Sequence, residues 1–146
     1  MKVLLDTNVL LSYMLSPTAP RVVATVVTTC FSRDEIDLLV PREQIDEFVA
    51  KATIKRYFRQ RIPQAAIDTF VRQLTAVGEL LPPLDEITAY TRDPKDDYLV
   101  AYGVVNEADY LITGDQDLLV LARVGALQIV SPSQFLQILR SQNLLP

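Results

Sequence analysis

Short apolar runs alternate along this chain with longer stretches of helical period. Lys2–Leu5, Asp37–Val40, Gly78–Leu81, Tyr110–Thr113 and Leu127–Val130 are rich in Leu, Ile and Val and bounded by turn residues, which predicts five strands. Between them, helical patterns cover Pro20–Ser32, Arg42–Phe58, Pro63–Val77, Pro94–Asn106, Gln116–Val124 and Pro132–Arg140. Proline opens several of these helices, and Gly125 stands where the helix Gln116–Val124 should end. Strands separated by helices imply an α/β chain with a mostly parallel sheet covered on both faces.

With the doubly wound order 3-2-1-4-5, the first and fourth strands are neighbours at the topological switch point. Ligands of open α/β sheets bind there, outside the carboxyl ends of the strands. Asp6 leaves the end of the first strand and Thr113-Gly114-Asp115 the end of the fourth. Two acidic loops are thereby expected at one crevice.

Composition narrows the chemistry. A length of 146 residues suits one domain, 1–146, and neither a repeat nor a low-complexity linker divides it. Histidine is absent and Cys30 is the single cysteine, so carboxylates must supply most of any chemistry. Such a set points to a hard divalent cation, Mg²⁺ or Mn²⁺, and to phosphate as the reacting group. One cysteine makes no internal disulfide, the start is too short and too soon acidic for a secretory signal, and no apolar run spans a bilayer. The expected location is the cytoplasm, away from any membrane. The net charge of −4 argues against nucleic-acid binding by overall charge. Lys51, Lys55, Arg56, Arg59 and Arg61 nevertheless form an acid-free basic stretch with Tyr57 and Phe58 among them. It reads either as a solvated helix face or as a patch that tracks an RNA backbone.

Each acid has a structural explanation to set beside the chemical one. Asp6 could merely cap a helix beginning at Thr7 or Asn8; alternatively it holds a cation, with Asn8 supporting it. Asp93, Pro94 and Asp96 suit a helix start. Asp97 does not. At about 100° per residue it lies roughly opposite Asn106 and faces inward with Ala101 and Val104, where a carboxylate must be paired or coordinated. Asp115 and Asp117 could be a cap and a first-turn acid, or a metal-binding loop in which Gly114 lets the backbone turn and the Thr113 hydroxyl bonds a carboxylate or phosphate. Glu47 projects off the stripe Ile45, Phe48, Val49 and Ala52, and periodicity alone leaves it in solvent.

Four stretches together resemble the PIN-domain family, and most closely its VapC-like toxin components of bacterial toxin–antitoxin systems. They are Val3-Leu4-Leu5-Asp6-Thr7-Asn8-Val9-Leu10, then Ile45-Asp46-Glu47-Phe48, then Asp93-Pro94-Lys95-Asp96-Asp97-Tyr98-Leu99-Val100-Ala101, and finally Ala108-Asp109-Tyr110-Leu111-Ile112-Thr113-Gly114-Asp115-Gln116-Asp117-Leu118-Leu119. The resemblance implies a three-layer α/β/α sandwich and an Mg²⁺- or Mn²⁺-dependent ribonuclease site. It places the family's acids on Asp6, Glu47, Asp97 and Asp115, with Asp117 nearby and Thr113 as the supporting hydroxyl. It is the resemblance that selects Glu47 over Glu43 or Asp46. Two departures stand out: Tyr102-Gly103 where small Ala-like residues are usual, and Pro41 where Ser or Thr often precedes the glutamate-bearing helix.

The mechanism this implies has Asp6, Asp97 and Asp115 binding metal directly. Glu47 binds a second ion or orients the attacking water, and Asp117 and Thr113 assist. Clustered acids repel, so without metal at least one should have a raised pKa. Lys51, Lys55, Arg56 and Arg59 would guide RNA. The implied partners are an RNA substrate, a small cognate antitoxin docking over the site, and a second copy of the chain. Arg21–Val27 and Leu144-Leu145-Pro146 are either an interface for these or core. Two other readings compete: a phosphatase using Asp6 as nucleophile, with Asn8 where a second acid is usual, and an inactive module that binds RNA or a partner.

Overall fold

The structure, a computed structural model, describes residues 1–15, 21–85 and 94–145, and of residues 94–97 the backbone. Strand β1 (Lys2–Leu5) runs into helix α1 (Thr7–Met14), followed by α2 (Arg21–Ser32), β2 (Asp37–Pro41), α3 (Arg42–Ile54), α4 (Arg56–Arg59), α5 (Gln64–Val77) and β3 (Glu79–Leu81). The second half contains α6 (Pro94–Val105), β4 (Tyr110–Ile112), α7 (Gln116–Leu119), β5 (Arg123–Val124), β6 (Leu127–Val130) and α8 (Pro132–Ser141). The sheet order is β3-β2-β1-β4-β6-β5, parallel except for β5. The five expected strands therefore stand in the expected order, with β1 and β4 adjacent at the switch point.

Alternation along each strand divides the core in two. Val3, Leu5, Leu38, Val40, Ile112 and Val130 face one layer, where α1, α2, α3, α5 and α8 cover the sheet. Leu4, Leu39, Leu111 and Ile129 face the other, covered by α6 and α7. The result is a three-layer sandwich with unequal outer layers. Among the described residues no helix is long and apolar enough to cross a membrane.

Two helices differ in extent from the sequence reading, and a third in the face it buries. The helix expected over Arg42–Phe58 breaks at Lys55, whose backbone is extended. Ile54 and Phe58 would share a face of one continuous helix, yet Ile54 is exposed while Phe58 packs on the core; the break turns Phe58 inward. The helix expected over Gln116–Val124 ends at Leu119. The last two residues of that range, Arg123–Val124, form an additional strand, β5, antiparallel to β6 across a two-residue loop of Gly125 and Ala126. Gly125, at φ +60°, serves that hairpin rather than a helix end. On α6, Ala101 is buried as expected, but Val104 is exposed and Asn106 is half-buried. Residues 98–103 are all buried, so α6 has no single inward face for a projection to find. The readings of Asp93, Asp96 and the Asp97 side chain fall outside the described residues.

The family departure at Tyr102-Gly103 is a packing feature. A Cβ on Gly103 would lie 2.8 Å from Leu127 Cδ2 and 3.2 Å from Leu4 Cδ1, so glycine lets α6 lie close on the sheet. Tyr102 fills the space beside it, fully buried, and its hydroxyl donates to Glu43 Oε1 at 2.5 Å. Of the segments left open as interface or core, Val23, Val26, Val27 and Leu144 are core. Arg33 Nε donates to the Leu144 carbonyl at 2.9 Å and ties the C-terminal segment down.

Candidate active site

The backbone brings the two acidic loops together directly. The N–H of Asp6 donates to the Ile112 carbonyl, and that of Thr113 to the Val130 carbonyl, both at 2.9 Å. The sheet's pairing thus continues into the residues that follow β1 and β4. Beyond them opens a cleft of about 360 Å³ lined by Asp6, Asn8, Glu47, Lys51, Lys55, Tyr98, Asp115 and Asp117.

Asp6 stands at the start of α1 but makes no side-chain cap bond. The residue is 9% exposed and its carboxylate accepts from Thr113 Oγ1 at 2.7 Å. The same Thr113 oxygen accepts from the Asp115 N–H at 3.0 Å. This one buried hydroxyl therefore sets the position of both loops. Burial pushes the pKa of Asp6 above its usual value, opposed by the Thr113 bond. The negative charge of Glu47 raises it further, Lys51 lowers it, and so does the backbone N–H of Asn8, without the geometry of a cap bond. Asp6 thus has the raised pKa expected of one acid, but burial rather than repulsion between acids is its main cause. Asp115, in contrast, does cap a helix: its Oδ1 accepts from the Asp117 N–H at 2.9 Å. Gly114 needs no special backbone conformation, and a Cβ there would meet nothing within 4 Å, so the sharp turn expected of it is not what it provides.

Glu47 is 24% exposed and reaches the cleft from α3. Its Oε1 accepts from the Thr7 hydroxyl and from Tyr98 OH, the latter at 2.5 Å. Its Oε2 faces Lys51 Nζ at 3.6 Å. Gln44 Nε2 closes the network, donating to the Leu5 carbonyl at 2.5 Å and lying 3.4 Å from Thr7 Oγ1. Solvation around Glu47 therefore differs from what periodicity predicted. The buried stripe of α3 is Gln44, Phe48 and Ala52, with Glu47 and Val49 on its two flanks. Gln44 is polar, so an apolar count omits it and the stripe is misplaced away from Glu47. Asp46 is exposed and Glu43 bonds Tyr102.

Sequence reasoning missed Thr7, Gln44 and Tyr98. A signal was available: Gln44 and Thr7 are polar positions beside core elements, and Tyr98 follows Asp97. The basic stretch splits. Lys51 and Lys55 line the cleft, whereas Arg56 and Arg59 lie exposed on α4. Arg61 stacks over Tyr57, 3.9 Å from the ring centroid.

Other places offer less chemistry. Cys30 is buried, which pushes its thiol up to about 12 and leaves no thiolate at neutral pH. A larger hollow of about 540 Å³ along α2 is lined by Thr25, Thr28 and Thr29, whose hydroxyls donate to carbonyls of their own helix.

The acids of the cleft offer oxygen donors, which fit a hard divalent ion, beside the two ammonium groups of Lys51 and Lys55. Among the described residues no three acids, histidines or cysteines are drawn together closely enough to hold one, and Asp97 lies outside that set.

Comparison with known proteins agrees with this fold. The family model of the PIN domain matches residues 2–117. No curated protein is similar enough in sequence to match. Among solved structures, the fold is similar to a chain of VapBC2 from Rickettsia felis bound to a DNA fragment from their promoter. The TM-score is 0.62 at 14% identity, covering 90% of this chain and 98% of that one.

Proposed function

This chain belongs to the PIN-domain family, and from that premise we propose that it is an Mg²⁺- or Mn²⁺-dependent endoribonuclease, a single domain over 1–146 acting as the VapC-like toxin of a toxin–antitoxin pair in the cytoplasm. The observation that carries the nuclease reading is Asp6. Its buried carboxylate is withheld from helix capping, held by Thr113 at the switch point, and faces the cleft that Glu47 and Asp115 also line. Leaving a charge there is costly unless a cation joins it. The toxin reading rests on the motif resemblance and on the likeness of fold to VapBC2. It brings with it a small antitoxin that docks over the cleft, and a homodimer.

Asp6, Asp97 and Asp115 hold the ion in this scheme. Bound Mg²⁺ or Mn²⁺ would activate a water for attack and offset charge on the scissile phosphate. Glu47, fixed by Thr7 and Tyr98, orients the attacking water. Thr113 fixes Asp6 against the Asp115 loop, and Asp117 and Asn8 border the site. Lys51 and Lys55 receive the phosphate inside the cleft, and Arg56 and Arg59 guide the strand outside it.

The test is a Mn²⁺-dependent cleavage assay on defined RNAs, with wild type beside Asp6→Asn, both free of host nuclease. Wild type should cleave and the variant should lose at least about 100-fold, the scale of a lost metal-ligand or electrostatic contribution. Equal activity in the variant would sink the site. RNA binding without cleavage in wild type would favour the inactive-module reading.

A further inference from the structure

Resting on the metal-dependent reading above, we infer that Lys51 occupies the place of a second cation beside Glu47, so that the cleft takes one divalent ion per chain. Three observations carry this. Both carboxylate oxygens of Glu47 are committed, Oε1 to the Thr7 and Tyr98 hydroxyls and Oε2 to Lys51 Nζ at 3.6 Å. Asp6 and Asp115 differ, since their side-chain bonds commit Oδ2 of one and Oδ1 of the other. Glu47 thus has less free oxygen to offer an ion than Asp6 or Asp115.

Lys51 is also placed by covalent geometry rather than chance. It lies one helical turn after Glu47 on α3, the spacing at which Glu and Lys meet on a helix surface. Its stem lines the same cleft, and its charge reaches Asp6 as well as Glu47. A divalent ion seated at Glu47 would meet an ammonium at close range on one side and would have to displace two hydroxyl donors on the other. A lysine in that position supplies, toward a phosphate oxygen, the positive charge that a second ion would supply. It does so with no ion to lose.

Mn²⁺ alone is the probe. Titration calorimetry of the metal-stripped full chain, with the spin-resonance signal of free Mn²⁺ as an independent count, should give one ion per wild-type chain. Lys51→Met keeps the stem and removes the charge, and should bind two. Lys51→Arg keeps the charge and should bind one. Two ions in wild type, or one in Lys51→Met even at raised affinity, would overturn the inference. One ion in wild type and two in the Met variant, with no RNA cleavage by wild type, would uphold the role of Lys51 and defeat the nuclease reading alone. No Mn²⁺ bound by either would defeat both.

Discussion

Asp6 keeps its proton to higher pH than a free aspartate, because burial withholds the water that would solvate its charge. The unfolded chain releases that proton near 3.8. Between that pH and the raised native value, the native state holds more protons than the unfolded one. Stability therefore falls as pH rises through this window, and the full cost is present above it. Asp6→Asn should accordingly raise the thermal midpoint of metal-free protein at pH 7, with the difference closing as pH falls toward 3.8. Equal midpoints at pH 7 would show that the buried carboxylate carries no such cost. Mn²⁺ at 100 times its dissociation constant should stabilise wild type by about 2.7 kcal/mol and leave Asp6→Asn nearly unmoved. The other buried polar side chains at the site are satisfied by partners: among the described residues no buried side-chain nitrogen or oxygen lacks one.

At the scale of elements, α3 and α6 present the cleft in different ways. Helix α3 carries Gln44, Glu47 and Lys51 along one edge of its buried stripe, so a single helix places a network donor, an acid and a cation. Helix α6 is buried over residues 98–103 and owes its depth to Gly103. Gly103→Ala should be nearly neutral. The gain in helix propensity of about 1 kcal/mol offsets the crowding of the flexible ends of Leu127 and Leu4. Gly103→Val should destabilise by about 1–3 kcal/mol, the range for overpacking. Urea denaturation measures both. A fully stable Val variant would mean that α6 does not need its close seat on the sheet.

Across the whole molecule, a net charge of −4 coexists with cations gathered near an acidic cleft. Neutralising Lys55, Arg56 and Arg59 together should weaken RNA binding and flatten its dependence on salt. The log–log slope should drop by about 0.7 for each RNA phosphate that no longer has a cation beside it. An unchanged slope would make them an ordinary solvated face. The strands and helices were legible in the sequence because alternation in strands and period in helices depend on near neighbours, and their β–α alternation implied the layers; the strand order followed only from the usual doubly wound arrangement. Asp6 and Asp115 were legible too, as acids that follow the first and fourth strands. What local pattern could not show is who meets whom. Glu47 finds Thr7 across 40 positions and Tyr98 across 51, and Asp6 finds Thr113 across 107. The break at Lys55 likewise answers to distant packing, since it turns Phe58 onto the core. The sequence alone determined the strands, the helices between them and the acids that follow β1 and β4, while the sheet order, taken from the doubly wound pattern, was established by the pairing. Only the tertiary structure decided that Asp6 is held rather than capping, that Asp115 caps, and that Glu47 faces the cleft with Lys51 beside it, because a buried polar group is placed by its partners and those partners lie far along the chain.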